Sequence, residues 1–180
     1  MVTDGRPLNA NVELWHGPDY TPTKMSVYLE DGCLTPFNAV IETPKAGNTI
    51  AVRNTSPMEF PLSACVEADN GSTNLGSVVN SLYQRVTPRL CQGGSITSFP
   101  FDSSVERVQV LLKTDGRNLK ARVELMQGPN NDKQIIEVYA SDGKKNPFFI
   151  VIETPGSGNS IRLLNENTME FPFQAFVEAV

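Results

Sequence analysis

Val12-Glu13-Leu14-Trp15-His16-Gly17-Pro18 returns 111 positions later as Val123-Glu124-Leu125-Met126-Gln127-Gly128-Pro129. Working outward, Asp4-Gly5-Arg6 recurs as Asp115-Gly116-Arg117, and Val40-Ile41-Glu42-Thr43-Pro44 recurs from Val151 to Pro155. Met58-Glu59-Phe60-Pro61 returns as Met169-Glu170-Phe171-Pro172, and Val66-Glu67-Ala68 as Val177-Glu178-Ala179. Residues 4–69 and 115–180 align without a gap, and 33 of 66 positions are identical. Chance does not produce such a match, so the chain is a tandem duplication. Two copies are too few for a solenoid. The chain therefore reads as two homologous lobes with pseudo-two-fold symmetry: residues 1–69, residues 115–180, and a connecting segment, 70–114.

Within each copy the hydrophobic period is two, the signature of strands. Ala10, Val12 and Leu14 alternate with Asn11, Glu13 and Trp15, while Met25, Val27 and Leu29 alternate with Ser26, Tyr28 and Glu30. Further strands are expected at 37–41 and 50–52. They are joined by Thr43-Pro44-Lys45-Ala46-Gly47-Asn48, whose Gly-Asn is kept at Gly158-Asn159. Glycine tolerates the positive φ of a hairpin loop, so this pair is expected to set register. Asp31-Gly32 and Asp142-Gly143 mark another turn. A last strand is expected over 59–68, at an edge or with a bulge, because Pro61 lacks the ladder N–H. The fold class is all-β, with each lobe a β-sandwich or barrel-like sheet of about five strands. A lobe of this size has a marginal core, so the lobes are expected to bury apolar surface against each other. In the connecting segment, Asn70-Gly71-Ser72-Thr73-Asn74 reads as a polar loop and 78–86 as a short helix or a strand. Pro88 and Gly93-Gly94 act as breakers, and 105–112 reads as a strand that joins the second lobe.

Composition narrows the function classes. Of 180 residues, 39% are hydrophobic, enough for a real core, and the net charge of −5 with no basic stripe argues against a nucleic-acid partner. The longest apolar runs, such as Phe148-Phe149-Ile150-Val151-Ile152, fall far short of the roughly 20 residues that span a bilayer, so the chain reads as soluble. Met1 is followed at once by domain-like sequence, and a leader trimmed from the chain is the expectation. The second copy is preceded by the 105–112 run, and the first has only Met1-Val2-Thr3 in that place. Cys33, Cys65 and Cys91 form no CxxC pair, and neither Cys33 nor Cys65 has a cysteine at its counterpart position. That is poor material for a disulfide framework and points to a reducing compartment. The sequons at Asn54 and Asn70 matter only in a secreted protein.

The duplication also sorts the chemistry, because a single catalytic site should break the symmetry. His16, the only histidine, aligns with Gln127 and reads as a solvent-exposed turn residue rather than a triad base. A metal site is not expected: no second histidine, cysteine pair or DxDxDG-type loop is present. No P-loop or dinucleotide fingerprint occurs, and no cofactor is expected. Glu13/Glu124, Asp31/Asp142, Glu42/Glu153, Glu59/Glu170 and Glu67/Glu178 are kept in both copies. A glycosidase needs two such carboxyls across a sugar bond. Carboxylates alternating with apolar residues, however, sit on the wet face of a strand, and they or Arg6/Arg117 could form salt bridges between lobes or subunits. Tyr28/Tyr139, Phe37/Phe148 and Phe60/Phe171 are kept and read mainly as core. The unmatched Trp15 and Tyr20, near a turn, suit a contact surface, with a sugar-stacking platform as the competing reading. Trp15, Tyr20, Arg6, Arg117, Phe60 and Phe171 are the assembly-contact candidates. No catalytic residue is assigned.

Two tandem copies of Val-Glu-Leu-x-x-Gly-Pro, x-Val-Ile-Glu-Thr-Pro-x-x-Gly-Asn and Glu-Phe-Pro-x-x-Ala-x-Val-Glu-Ala resemble the pyrenoid shell (PyShell) proteins of diatoms and related algae. The resemblance covers nearly the whole chain. It implies a non-catalytic, homo-oligomeric structural protein of the chloroplast stroma at the pyrenoid periphery. Such proteins assemble into a thin sheet around the Rubisco condensate and support carbon fixation by limiting CO2 loss. Physically, a duplicated unit offers two similar but distinguishable surfaces, whose heterologous contacts propagate if they do not close into a ring. Exposed edge strands add a means of joining. A β-sandwich binding module for carbohydrate or protein and a hydrolase with paired carboxylates are the alternatives.

Overall fold

The computed structural model describes residues 1–43, 46–68 and 75–180, the side chains of 75 and 76 excepted. Pro44 and Lys45 of the first Thr-Pro loop and the polar loop with its Asn70 sequon lie outside the described residues. The first copy forms β1 (Leu8–His16), β2 (Thr23–Leu29), β3 (Asn38–Val40) and β4 (Asn48–Asn54). The connecting segment supplies α1 (Leu75–Arg85), β5 (Arg89–Cys91), β6 (Ile96–Pro100) and β7 (Arg107–Lys113). The second copy forms β8 (Leu119–Gln127), β9 (Asp132–Ala140), β10 (Phe148–Glu153), β11 (Asn159–Asn165) and β12 (Phe173–Ala179). Among the described residues the fold is all-β apart from one helix; burial alternates with period two along β1, β2, β9 and β11, whereas β7, β8, β10 and β12 include consecutive buried residues.

Two sheets face each other, and both run through both copies. The larger has the order β4-β1-β2-β9-β8-β11-β6, and the smaller β3-β10-β7-β12-β5. The junctions follow one rule. Across β2–β9, Ser26 pairs with Glu137, its own counterpart; across β3–β10, Ala39 pairs with Ile150, again its own counterpart. The Glu30 N–H bond to the Lys133 carbonyl (2.9 Å) has its mate in the Ser141 N–H bond to the Pro22 carbonyl (2.9 Å). This is the arrangement a two-fold rotation produces. The copies therefore share two sheets rather than each closing a sandwich of its own, and one apolar cluster extends from Leu8 and Val27 to Leu163 and Phe173.

Among the described residues, the strands of the connecting segment pair with strands of the second copy and with none of the first. α1 lies on the outer face of the smaller sheet, where Val79 and Leu82 pack on Leu111, Phe149 and Phe176, and Tyr83 meets Phe176 edge-on at 5.0 Å. This third layer explains the unbroken apolar run in β10: Phe148 and Ile150 face the sandwich core, and Phe149 faces the helix. Asn38, the counterpart of Phe149, lies outside the helix's footprint and is exposed. The breakers Pro88 and Gly93-Gly94 do not end regular structure, as expected from sequence, but flank two short strands. β5 edges the smaller sheet and β6 edges the larger, sealing that end of the sandwich. The expected strand over 59–68 is regular only in the second copy, as β12. In the first it makes, among the described residues, an isolated bridge, Val2 to Ser63, the counterpart of Lys113–Gln174.

The turns behave as their residues require. Gly47 and Gly158 adopt φ of 78° and 74°. A Cβ at Gly143 would come within 2.6 Å of Thr114 Oγ1, and one at Gly32 within 2.9 Å of Thr3 N, so each Asp-Gly turn is packed against the threonine that opens its copy. Thr3 and Thr114 donate to the Arg6 and Arg117 carbonyls at 2.5 and 2.6 Å, which extends the structural repeat one residue beyond 4–69 and 115–180.

Candidate functional site

The outer face of the larger sheet carries Glu13 and Glu124, one of the carboxylate pairs singled out from sequence. Cross-strand register sets Glu13 opposite Lys24, Glu137 opposite Arg122, and Glu124 opposite Arg162. Opposite charges facing across strands favour the pairing and neutralise the face. Glu124 departs from the expectation of a wet-face carboxylate: it is 1% exposed. Arg122 Nε lies 2.6 Å from its Oε1, and Arg162 Nε donates to its Oε2. The hydrogen bond that Arg162 donates to Glu124 holds the guanidinium pKa above its usual value. A buried carboxylate held by Arg122 of its own strand and Arg162 of β11 is suited to joining those two strands, not to passing protons. Its counterpart Glu13 is half-buried and accepts instead from Trp15 Nε1 at 2.9 Å. The arginines have no equivalents there, since the corresponding residues are Asn11 and Ala51.

The contact candidates fall into separate places. Trp15 lies on the outer face of β1, tied to Glu13, whereas Tyr20 is 50% exposed and its Oη meets Ser141 Oγ at 2.6 Å across the lobe junction. Arg6 donates to the Glu59 carbonyl (3.1 Å) and lies over Phe60, and Arg117 donates to the Glu170 carbonyl (2.6 Å) and lies over Phe171. From sequence, salt bridges between lobes or subunits are one open reading for these arginines; within the chain each engages its own lobe, where it pins the loop ahead of its Phe-Pro. Met58 and Met169 at the tips of those loops are 100% and 79% exposed. His16 is half-buried, and its Nδ1 has no hydrogen-bond partner.

The hollows are shallow. One of about 260 Å³ crosses the β2–β9 junction between Lys24, Ser26, Lys120, Glu137 and Tyr139, and another of about 320 Å³ lies between Val2-Thr3-Asp4 and Pro61-Leu62-Ser63. Both are at the small end for ligand pockets; of the three carboxylates lining the first, Glu137 pairs with Arg122 and Glu166 with Lys120, and Glu13 accepts from Trp15 Nε1. Among the described residues no three His, Cys, Asp or Glu side chains gather as a metal site, and no helix is long and apolar enough to cross a membrane. Cys33 and Cys65 are exposed thiols, while burial pushes the Cys91 thiol up, partly offset by Thr97 and Arg89.

Sequence reasoning missed one pair of residues that builds the lobe ends. Asn165 Nδ2 donates to the Cys91 carbonyl (3.0 Å) and the Phe171 carbonyl (2.9 Å), fastening β5 to the end of the larger sheet. Asn54, its counterpart, keeps the bond to the Phe60 carbonyl (3.0 Å). The identity of Asn54 and Asn165 was the signal, hidden by reading Asn54 only as a sequon. No curated protein matches the chain. The sequence does match the family described as diatom pyrenoid shell protein over residues 1–179, and the chain belongs to that family.

Proposed function

We propose that this protein is a non-catalytic building block that self-assembles into a sheet-like shell around the Rubisco-containing pyrenoid of an algal chloroplast. The observation that carries the reading is the family match, which covers residues 1–179. The shell lies at the pyrenoid periphery in the stroma, faces the Rubisco condensate, and supports CO2 concentration by limiting CO2 loss. The domain organisation goes with this reading: two β repeats, residues 1–69 and 115–180, and a connecting segment, 70–114, that completes the second. The physical supports are modest hollows, a charge-neutralised sheet face, and apolar side chains left in water, including the repeated Met58 and Met169. Purified protein examined by sedimentation and negative-stain imaging is expected to form extended sheets or curved fragments. A monodisperse monomer at high concentration would overturn the reading.

A further inference from the structure

The two sheets have four edges: β4 and β6 in the larger, β3 and β5 in the smaller. Three are blunted. β3 and β5 are three residues each, and β6 ends in Pro100, which lacks an N–H. β4, Asn48–Asn54, is seven residues of regular strand without proline. Its counterpart β11 is covered by β6, which pairs with it from Ser160 to Leu164. Ile161 and Leu163 are fully buried under that cover, while their counterparts Ile50 and Val52 are half-exposed.

The direction of the free backbone groups follows from the flanks. Gly47 gives its carbonyl to Gly17 N–H at 3.3 Å and Thr55 gives its N–H to the Asn9 carbonyl at 3.0 Å, so odd-numbered residues turn toward β1. Residues two apart share a direction, and Ile50 and Val52 therefore turn their N–H and C=O groups outward. The corresponding Asn165, outward by the same rule, bonds Ser95 and Gly94.

We propose that β4 is a pairing edge for a second copy of this chain, joined antiparallel about a two-fold axis through Ala51. The inference rests on the self-assembly reading above and names its contact. Only a register that sets outward residues against outward residues makes the bonds. With Ala51 on the axis, Ile50 faces Val52 of the second copy and exchanges two hydrogen bonds, and Val52 does the same with Ile50. Their apolar side chains fall on the core side of the sheet, covering what β6 covers in the other lobe. On the outer face Arg53 meets Thr49, so no like charges oppose. Ala51 meets Ala51 in a close, non-hydrogen-bonded pair that a small side chain suits.

Such a pair brings Cα atoms to about 4.5 Å, within disulfide range. In a Cys33→Ser, Cys65→Ser background, Ala51→Cys is expected to give covalent dimers on mild oxidation, while Thr49→Cys, which faces Arg53 of the second copy, does not. Val52→Pro removes an N–H that no strand among the described residues uses, and is expected to weaken dimerisation at least about tenfold by sedimentation, with the melting transition checked in parallel. If wild type is a monomer at high concentration, self-assembly itself fails. If wild type assembles but Ala51→Cys does not cross-link to itself, or links only to a cysteine placed in β6, the β4 pairing is overturned and self-assembly stands.

Discussion

Replacing Glu124 with glutamine tests the clamp that joins β8 to β11. The carboxylate is 2% exposed at its side chain, with the Arg122 and Arg162 side chains 31% and 32% exposed. The hydrogen bond from Arg162 is charge-assisted, worth about 1.5–3 kcal/mol. The ion contact with Arg122 is closer to a surface pair, about 0.5–1 kcal/mol. Because both guanidiniums keep a third of their surface in water, the lower half of the sum applies, about 2–3 kcal/mol. For a chain of this size that is a fall in Tm of about 4–12 °C. The duplication provides its own control. Glu13→Gln removes the same charge at the same repeat position, but its bond from Trp15 Nε1 is kept by the amide oxygen, and about 0.5 kcal/mol or less is expected. Differential scanning calorimetry of the two variants, with urea melts, reads the difference. Equal shifts for the two, or a Glu124→Gln variant within about 1 °C of wild type, would refute the assignment of Glu124 as a strand clamp.

Three further outcomes follow from burial and contact. Leu163→Ala opens a cavity in the sealed lobe and is expected to cost about 2–5 kcal/mol in urea denaturation, against about 1 kcal/mol or less for Val52→Ala in the monomer. Gly93→Ala places a Cβ on the Thr168 carbonyl, so it is expected to dislodge the loop between β5 and β6 and lower Tm by several degrees. With a thiol reagent at neutral pH, Cys33 and Cys65 react quickly and Cys91 only after unfolding, since it is 1% exposed and its thiol pKa is raised; in Gly93→Ala the third thiol becomes reactive in the folded protein.

Much of the fold was legible because period-two patterning survives in isolation. Ala10, Val12 and Leu14 all face the core, and so do Met25, Val27 and Leu29. The period identifies a face, however, not what covers it. Val-Glu-Leu reads the same in both copies, yet Glu124 is buried and Glu13 is not, because the arginines that cover Glu124 sit two residues back and on a neighbouring strand. Residues 78–86 were ambiguous for the same reason: Val79 and Leu82 fit a helix face only once the outer side of the smaller sheet is known to be apolar. β5 and β6 were hidden because Pro88 and Gly93-Gly94 dominate a local reading, whereas their pairing partners lie 60 or more positions away. Arg6 and Arg117 could be paired with a structural role by their repetition, but their acceptors are backbone carbonyls, Glu59 and Glu170, which no pattern of side chains reveals.

The asymmetry between the copies follows from where the connecting segment went. Among the described residues its strands pair only with the second copy: β7 fills the smaller sheet, and β5 and β6 seal the end, while α1 covers the outer face of that sheet, mainly over second-copy residues. The divergent positions track that coverage. Phe149 and Phe176 lie under the helix, and their counterparts are Asn38 and Cys65, both exposed. A duplicated unit completed on one side only has one sealed end and one open end, so its two lobes cannot present equivalent edges. Pairing through the open end alone closes on itself as a two-fold contact and stops at two copies. A continuing sheet therefore requires a second, different contact, and it must come from surface that the fold does not already use. That requirement separates the two kinds of variant: changes in β4 should reduce the basic pair, whereas changes at the second contact should leave pairs intact and stop their growth.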